Sequence, residues 1–352
     1  MTNKKDGEPF GRHKKEHYVP RCYLINFENK NGRINVFDKV KMEQRSQSKE
    51  EIAHENYFYD LDFEKQLLNF PSTKQEEIKR DIKKLTGEDD WEKIKSNFLN
   101  PKYIEKGYLC PIEGLYDQLL KRIISKNSNV NEWVIKNCYS FSEEDKSLLS
   151  LFLAIQIIRT KAFRDTISQT YEKLIQTLAY KQQMNDKDAL PKEEFAIKAD
   201  KEFIKLEHIA MILDEENTTQ FAEILANHHW MLYVNTTNTP FFTSDNPVST
   251  IPHKQDKFMS YGGLDSEGVE VVFPISSNLL LAMYERRMYS SLVKDRSYCI
   301  VKESKHVDYF NKAQIINSLR CVFSPADNFD LAKEVCTEYP QIRDSDNRVS
   351  VN

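Results

Sequence analysis

A chain of 352 residues with 40% hydrophobic and 30% charged side chains carries enough apolar material for one elaborated domain and lacks the signature of disorder. Its 50 Lys and Arg against 54 Asp and Glu leave a net charge of -4, so no global field draws it to nucleic acid or to an acidic membrane surface. Six cysteines, Cys22, Cys110, Cys138, Cys299, Cys321 and Cys336, stand singly without a C-x-x-C pair, which excludes the pattern of a zinc ribbon or a disulfide framework.

Residues 1 to 12 read as a flexible leader, and the opening Met1-Thr2-Asn3-Lys4-Lys5-Asp6 has no apolar signal segment. The expectation is therefore a reduced, cytoplasmic protein. An apolar stretch, Tyr18 to Phe27, is followed by the turn signal Asn29-Lys30-Asn31-Gly32 and a short strand, Arg33 to Phe37. Between Glu50 and Lys126, Pro71, Gly87, Pro101, Gly107 and Pro111 divide the chain into short helices and loops. Ser142-Glu143-Glu144-Asp145 is a capping start, and no Gly or Pro follows until Pro191. A helix from there to Lys181 would be about 60 Å long, so a bend or break is expected within it. A second helical region covers Glu202 to His229, with a break near Glu216 to Thr218.

After Trp230 the pattern turns to strands: Met231 to Asn235, Phe241 to Thr243, Val248 to Ile251, Val269 to Phe273, Leu279 to Tyr284, Tyr298 to Val301 and Arg320 to Phe323. The longest apolar run, Leu279 to Tyr284, is too short to cross a bilayer as a helix, and no membrane association is expected. The fold class is α+β in one domain, residues 1-352. A helical middle region (50-230) is inserted between a small N-terminal β element and a C-terminal antiparallel sheet (231-325), which the N-terminal element can join.

The segment His17-Tyr18-Val19-Pro20-Arg21-Cys22-Tyr23-Leu24-Ile25-Asn26-Phe27 resembles the start of a bacterial family described as domain of unknown function 4238. Three further blocks are similar and come in the same order: Gln156 to Arg164, then Trp230 with Phe242-Thr243-Ser244-Asp245-Asn246-Pro247-Val248, then Phe273-Pro274-Ile275-Ser276. The resemblance runs from about residue 13 to about residue 325. The family often has a second histidine where this chain has Glu16, with His13 four positions before His17, and that departure weakens any metal site built on adjacent histidines. The resemblance implies no activity.

Chemistry must then be sought in individual residues. Gln156 and Arg159 share a face of a helix that is apolar on nearly every side, and a buried guanidinium requires an acceptor, either a carboxylate in an internal ion pair or an anionic ligand. Ser244, Asp245 and Asn246 form a turn at a strand end, where Asp245 is a candidate partner for Arg159, a general base or a metal ligand. The alternative is a turn whose side chains only bond nearby backbone. His17 is a candidate acid, base or ligand, against the plainer reading of a polar cap before Pro20. His228 and His229 point to different sides of a helix end. The basic stretches Arg12 to Lys15 and Arg286-Arg287 are ordinary solvated surface unless a nucleic acid holds them.

No phosphate loop, dinucleotide fingerprint, H-E-x-x-H or G-x-S-x-G sequence occurs. With His17 and Asp245 as catalytic candidates, and Gln156, Arg159, Ser244 and Asn246 as binding candidates, the expected function is hydrolysis of a phosphodiester or nucleotide. The partner would be a phosphate-bearing small molecule or a nucleic acid, as for a nuclease-like effector. The alternative is a non-catalytic binding or regulatory protein in which the same residues pin helix to sheet. The pattern specifies no cofactor, metal or protein partner.

Overall fold

The computed structural model describes residues 14–183, 197–254, 256 and 261–345; the expected leader and His13 lie outside them. Eleven strands occur among the described residues: β1 (Lys15–His17), β2 (Ile34–Asp38), β3 (Glu43–Gln47), β4 (His54–Asn56), β5 (His229–Asn235), β6 (Thr243–Ser244), β7 (Ser249–Pro252), β8 (Val269–Ser276), β9 (Leu279–Tyr284), β10 (Ser297–Val301) and β11 (Cys321–Ser324). The chain forms two compact units: Met1–His17 with His54–Leu115, and Tyr18–Ala53 with Tyr116–Asn352.

In the first unit β1 pairs antiparallel with β4, His17 opposite His54. Short helices follow, as the breakers in this stretch lead one to expect. Asp62 and Asp90 accept backbone N–H bonds at the starts of Phe63–Leu67 and Trp91–Asn97, satisfying donors that a helix start leaves open. Ser72–Thr86 ends at Gly87, whose φ of 66° is a left-handed cap that a side chain would strain.

The second unit contains two sheets. The five-stranded one has the order β10-β5-β9-β8-β7 and is antiparallel except where β10 runs parallel to β5. The four-stranded one, β3-β2-β11-β6, is antiparallel throughout, and there the N-terminal strand β2 meets the C-terminal strand β11. The turn into β2 closes on the Asn29 side chain, which accepts N–H bonds from Asn31 and Arg33, while Gly32 takes a φ of 67°. The strand expected at Phe241 to Thr243 shrinks to β6. The N–H of Phe241 goes to the Ser277 carbonyl and that of Phe242 to the Asn311 side chain, so neither serves a ladder.

The long helical stretch breaks once. Helix α1 (Glu143–Ile158), capped by Ser142, ends at Arg159, and α2 (Lys161–Gln183) starts anew. Thr160 makes the break: its hydroxyl accepts the Phe163 N–H and donates to the Ile157 carbonyl. The second break falls at Asp214, whose carboxylate caps α4 (Glu215–Asn227) after α3 (Lys201–Leu213).

Helix α5 (Ser304–Asn317) lies between the two sheets and joins their cores. Val307, Phe310 and Ala313 pack with Phe241, Val272, Leu280, Ala282 and Tyr284 against the five-stranded sheet. Ile315 joins Phe37, Phe242 and Val322, and helix α6 (Asp330–Glu338) closes that core with Ala332 and Val335. Burying a side chain such as Phe310 stabilises by about 2 to 3 kcal/mol. Strand β8 is buried along its whole length, which places whatever polar residue it carries inside the protein.

Candidate functional site

The turn Ser244-Asp245-Asn246 grips the C-terminal half of α5. The buried Asp245 carboxylate accepts three backbone N–H bonds, from Leu319 at 2.7 Å and from Arg320 and Cys321 at 2.8 Å each. Ser244 donates to Gln314 Oε1 at 2.9 Å, and Gln314 donates onward to the Pro247 carbonyl and the Ser249 hydroxyl. Asn246 donates to the Asn317 carbonyl at 3.0 Å. Burial pushes the Asp245 pKa up, opposed by the three N–H donors and by Lys39. Lys39 is itself buried and donates to the Ile315 and Ser318 carbonyls at the end of α5, where a cation is favoured.

Among the described residues the Asp245 carboxylate is held by three backbone N–H groups and not by Arg159, the partner expected for it. Arg159 is 2% exposed at the end of α1, and its charge acts on the buried Tyr116 phenol. Gln156, also buried, donates to the Tyr18 carbonyl at 3.1 Å and so ties α1 to the apolar segment that opens this unit. His17 belongs to the first unit, where its ring lies 5.4 Å from that of His54. Its neighbour Glu16 is fully buried: it accepts the Tyr59 N–H at 2.6 Å and the Lys102 ammonium at 2.9 Å, while Asp60 takes the same ammonium at 2.7 Å. Burial, with Asp60 beside it, raises the Glu16 pKa to about 8. His228 bonds the Ile224 carbonyl at the end of α4, as expected for a histidine at a helix terminus.

A different set of residues surrounds open space. A cavity of about 430 Å³ is lined by Tyr233, His253, Glu270, Tyr284, Tyr289 and Tyr309, with Phe310 and the β10 residues Cys299 to Val301. This volume is within the usual range for small-molecule sites. The five-stranded sheet forms its floor: Tyr284 stands opposite Glu270 across β9 and β8, and Cys299 opposite Tyr233 across β10 and β5. The N-terminal half of α5 supplies Tyr309 and Phe310. Tyr289 comes from a short helix, Arg286–Tyr289, started by the Glu285 carboxylate on the Arg287 and Met288 N–H groups. Those donors, the Gly268 N–H and Arg287 bring the Glu285 pKa down to about 2 against its desolvation.

Glu270 is the charged centre of this cavity and only 2% exposed. Its Oε2 accepts Tyr309 Oη at 2.8 Å and faces His253 Nε2 at 2.9 Å, while its Oε1 has no hydrogen-bond partner among the described residues. A buried carboxylate oxygen without a donor is costly and rare. Around it each aromatic ring touches the next. His253 lies against Tyr289 at 6.1 Å and Tyr289 against Tyr284 at 5.1 Å. The hydroxyls of Tyr284 and Tyr233 bond at 2.7 Å, and Tyr233 meets Phe310 at 4.8 Å. Phe310 meets Tyr309 at 5.1 Å, and Tyr309 returns to His253 through a contact of 3.3 Å, so the belt closes. The bond to Glu270 raises the His253 pKa, and burial with the nearby Glu270 charge raises those of Tyr284 and Tyr309, keeping the phenols neutral.

None of these residues was a sequence candidate. The available signal was Glu270 itself, an acid inside the otherwise apolar Val269-Glu270-Val271-Val272-Phe273. A family model described as Protein of unknown function (DUF4238) matches residues 15–328, and the chain belongs to that family, as its four blocks led one to expect. No curated protein and no solved structure matches it.

Proposed function

We propose that this DUF4238 protein is a small-molecule binding protein whose site is the Glu270 cavity, the non-catalytic alternative named by the sequence. The observation that carries this reading is a buried carboxylate with an unpartnered oxygen on the wall of a 430 Å³ cavity. Polar atoms left open inside a fold are expected where a ligand completes them. The turn that supplied one catalytic and two binding candidates supports the same view from the other side. Asp245, Ser244 and Asn246 are committed to backbone and side-chain bonds that hold α5, and a general base needs a free lone pair. Among the described residues neither Lys nor Arg lines the cavity, whereas phosphate recognition relies on them.

Phosphodiester hydrolysis remains the rival, because His253, Glu270 and Tyr309 stand within 3.3 Å of one another and can pass a proton. A fragment screen by ligand-observed NMR, run on the wild type and on a Cys299→Phe variant that fills the cavity, tests the proposal. Hits lost in the variant, with no turnover of bis(p-nitrophenyl) phosphate in the presence or absence of Mg²⁺ or Mn²⁺, are expected. Turnover abolished by Glu270→Gln favours the hydrolase, and hits indifferent to Cys299→Phe remove the cavity as the site.

A further inference from the structure

The chemistry of the lining restricts what the cavity can hold. Its walls are four tyrosines and a phenylalanine, whose ring faces carry negative potential, and its one buried charged residue is Glu270. Among the described lining residues the groups able to carry positive charge are His253, with a side chain 33% exposed, and the exposed His306. Both stand toward solvent, while Glu270 and Tyr284 are buried. The interior is thus electron-rich, and among the described residues no donor stands within hydrogen-bond distance of Glu270 Oε1, the nearest hydroxyl being that of Tyr284 on the facing strand. An anion entering would meet Glu270 in a medium of low dielectric and be repelled. A neutral apolar ligand would bury the carboxylate further without compensating it.

From these observations we infer that the cavity takes a small organic ammonium ion, held by the ring faces of the tyrosine belt with Glu270 as its counter-charge. The inference rests on the cavity being the binding site and adds the class of ligand. A quaternary ammonium uses the ring faces and the charge alone; a primary ammonium can in addition donate to Glu270 Oε1.

Three probes separate these cases from a merely apolar pocket. Choline and its neutral isostere 3,3-dimethylbutan-1-ol have nearly the same shape, so their difference in affinity reads the charge; phenethylammonium adds an N–H donor. Titrated by calorimetry or NMR into the full chain, choline is expected to bind about tenfold or more tighter than the neutral isostere. Glu270→Gln, which keeps an acceptor for Tyr309, should erase that difference. If phenethylammonium gains further over choline in the wild type alone, Oε1 is the acceptor.

Equal affinity for choline and the neutral alcohol, or tighter binding of inorganic phosphate than of either cation, overturns the assignment. So does the absence of saturable binding by both cations up to about 10 mM. The fragment screen with Cys299→Phe is read independently: cavity-dependent fragments without cation preference sink the ammonium class and leave the binding site standing. Should Glu270→Gln fail to fold, Tyr289→Leu serves as the second variant, since it removes one ring face at the half-buried edge and is expected to weaken choline and spare the neutral alcohol.

Discussion

Asp245 and Glu270 are both acids 2% exposed in the same unit, the first just before the strand Ser249–Pro252 and the second within its partner strand Val269–Ser276, and they are solved in opposite ways. Asp245 is surrounded by backbone: three N–H groups of a single segment point at it, and none of them can titrate or leave without unfolding that segment. Glu270 is bonded by side chains, a phenol and an imidazole that can each turn away, beside open volume. Backbone donors make a carboxylate structural, whereas side-chain donors and a remaining acceptor make it available. The residue type and its burial do not distinguish the two.

The largest test of that contrast is Asp245→Ala, which strands three buried backbone N–H groups. A loss of about 3 to 5 kcal/mol is expected, read as a fall in urea midpoint at unchanged slope. A melt close to wild type would mean that the turn does not hold α5. Next comes Gln314→Leu, which removes the link from α5 to Ser244, Pro247 and Ser249 while keeping bulk; about 2 kcal/mol is expected. Glu270→Gln should lie within about 1 kcal/mol of wild type, since the amide retains an acceptor for Tyr309 and carries its own donors. A collapse of stability there would place Glu270 with Asp245 among structural acids.

The smallest effect is one of pH. Glu270 raises the folded pKa of His253 above 6.5, so the ion pair is fully present below that value and its stabilisation is lost as pH rises through the elevated pKa. Choline affinity should move the other way over the same window, because protonated His253 opposes a second cation. The other titratable groups facing the cavity among the described residues are Glu270, His306, Tyr233, Tyr284, Tyr289, Tyr309 and Cys299. Titrations of choline across that window in the wild type and in His253→Gln check this: a slope that survives in the variant assigns the effect elsewhere.

What was legible in the chain were the features that depend on neighbours in sequence. Ser142 announced its helix, the long helical run was expected to break, and Asn29 with Gly32 announced the turn into β2. The α+β class and the joining of the N-terminal strand to C-terminal strands followed from the same patterns. The surroundings of the two acids were not legible in the chain. The N–H groups that consume Asp245 lie 74 to 76 positions away and belong to backbone, which every residue has, so no side-chain pattern marks them. Glu270 was not singled out at all, since a single acid in a strand-like run does not say which way it faces, and β8 is buried along its whole length. The belt draws on residues from Tyr233 to Phe310 that meet only once five strands and α5 are in register.

The pairing of β2 with β11 also sets an order of events. Phe37 lies opposite Val322, so β2 waits for a strand made much later before that edge is covered. Hairpin formation with β3 protects its other edge early, and the Tyr23 hydroxyl likewise waits for Thr243 and the Pro274 carbonyl, 220 and 251 positions on. During synthesis the nascent chain thus displays an open strand edge of apolar sequence, the kind of surface that seeks partners in other chains. Any truncation before Cys321 leaves that edge of β2 without its partner.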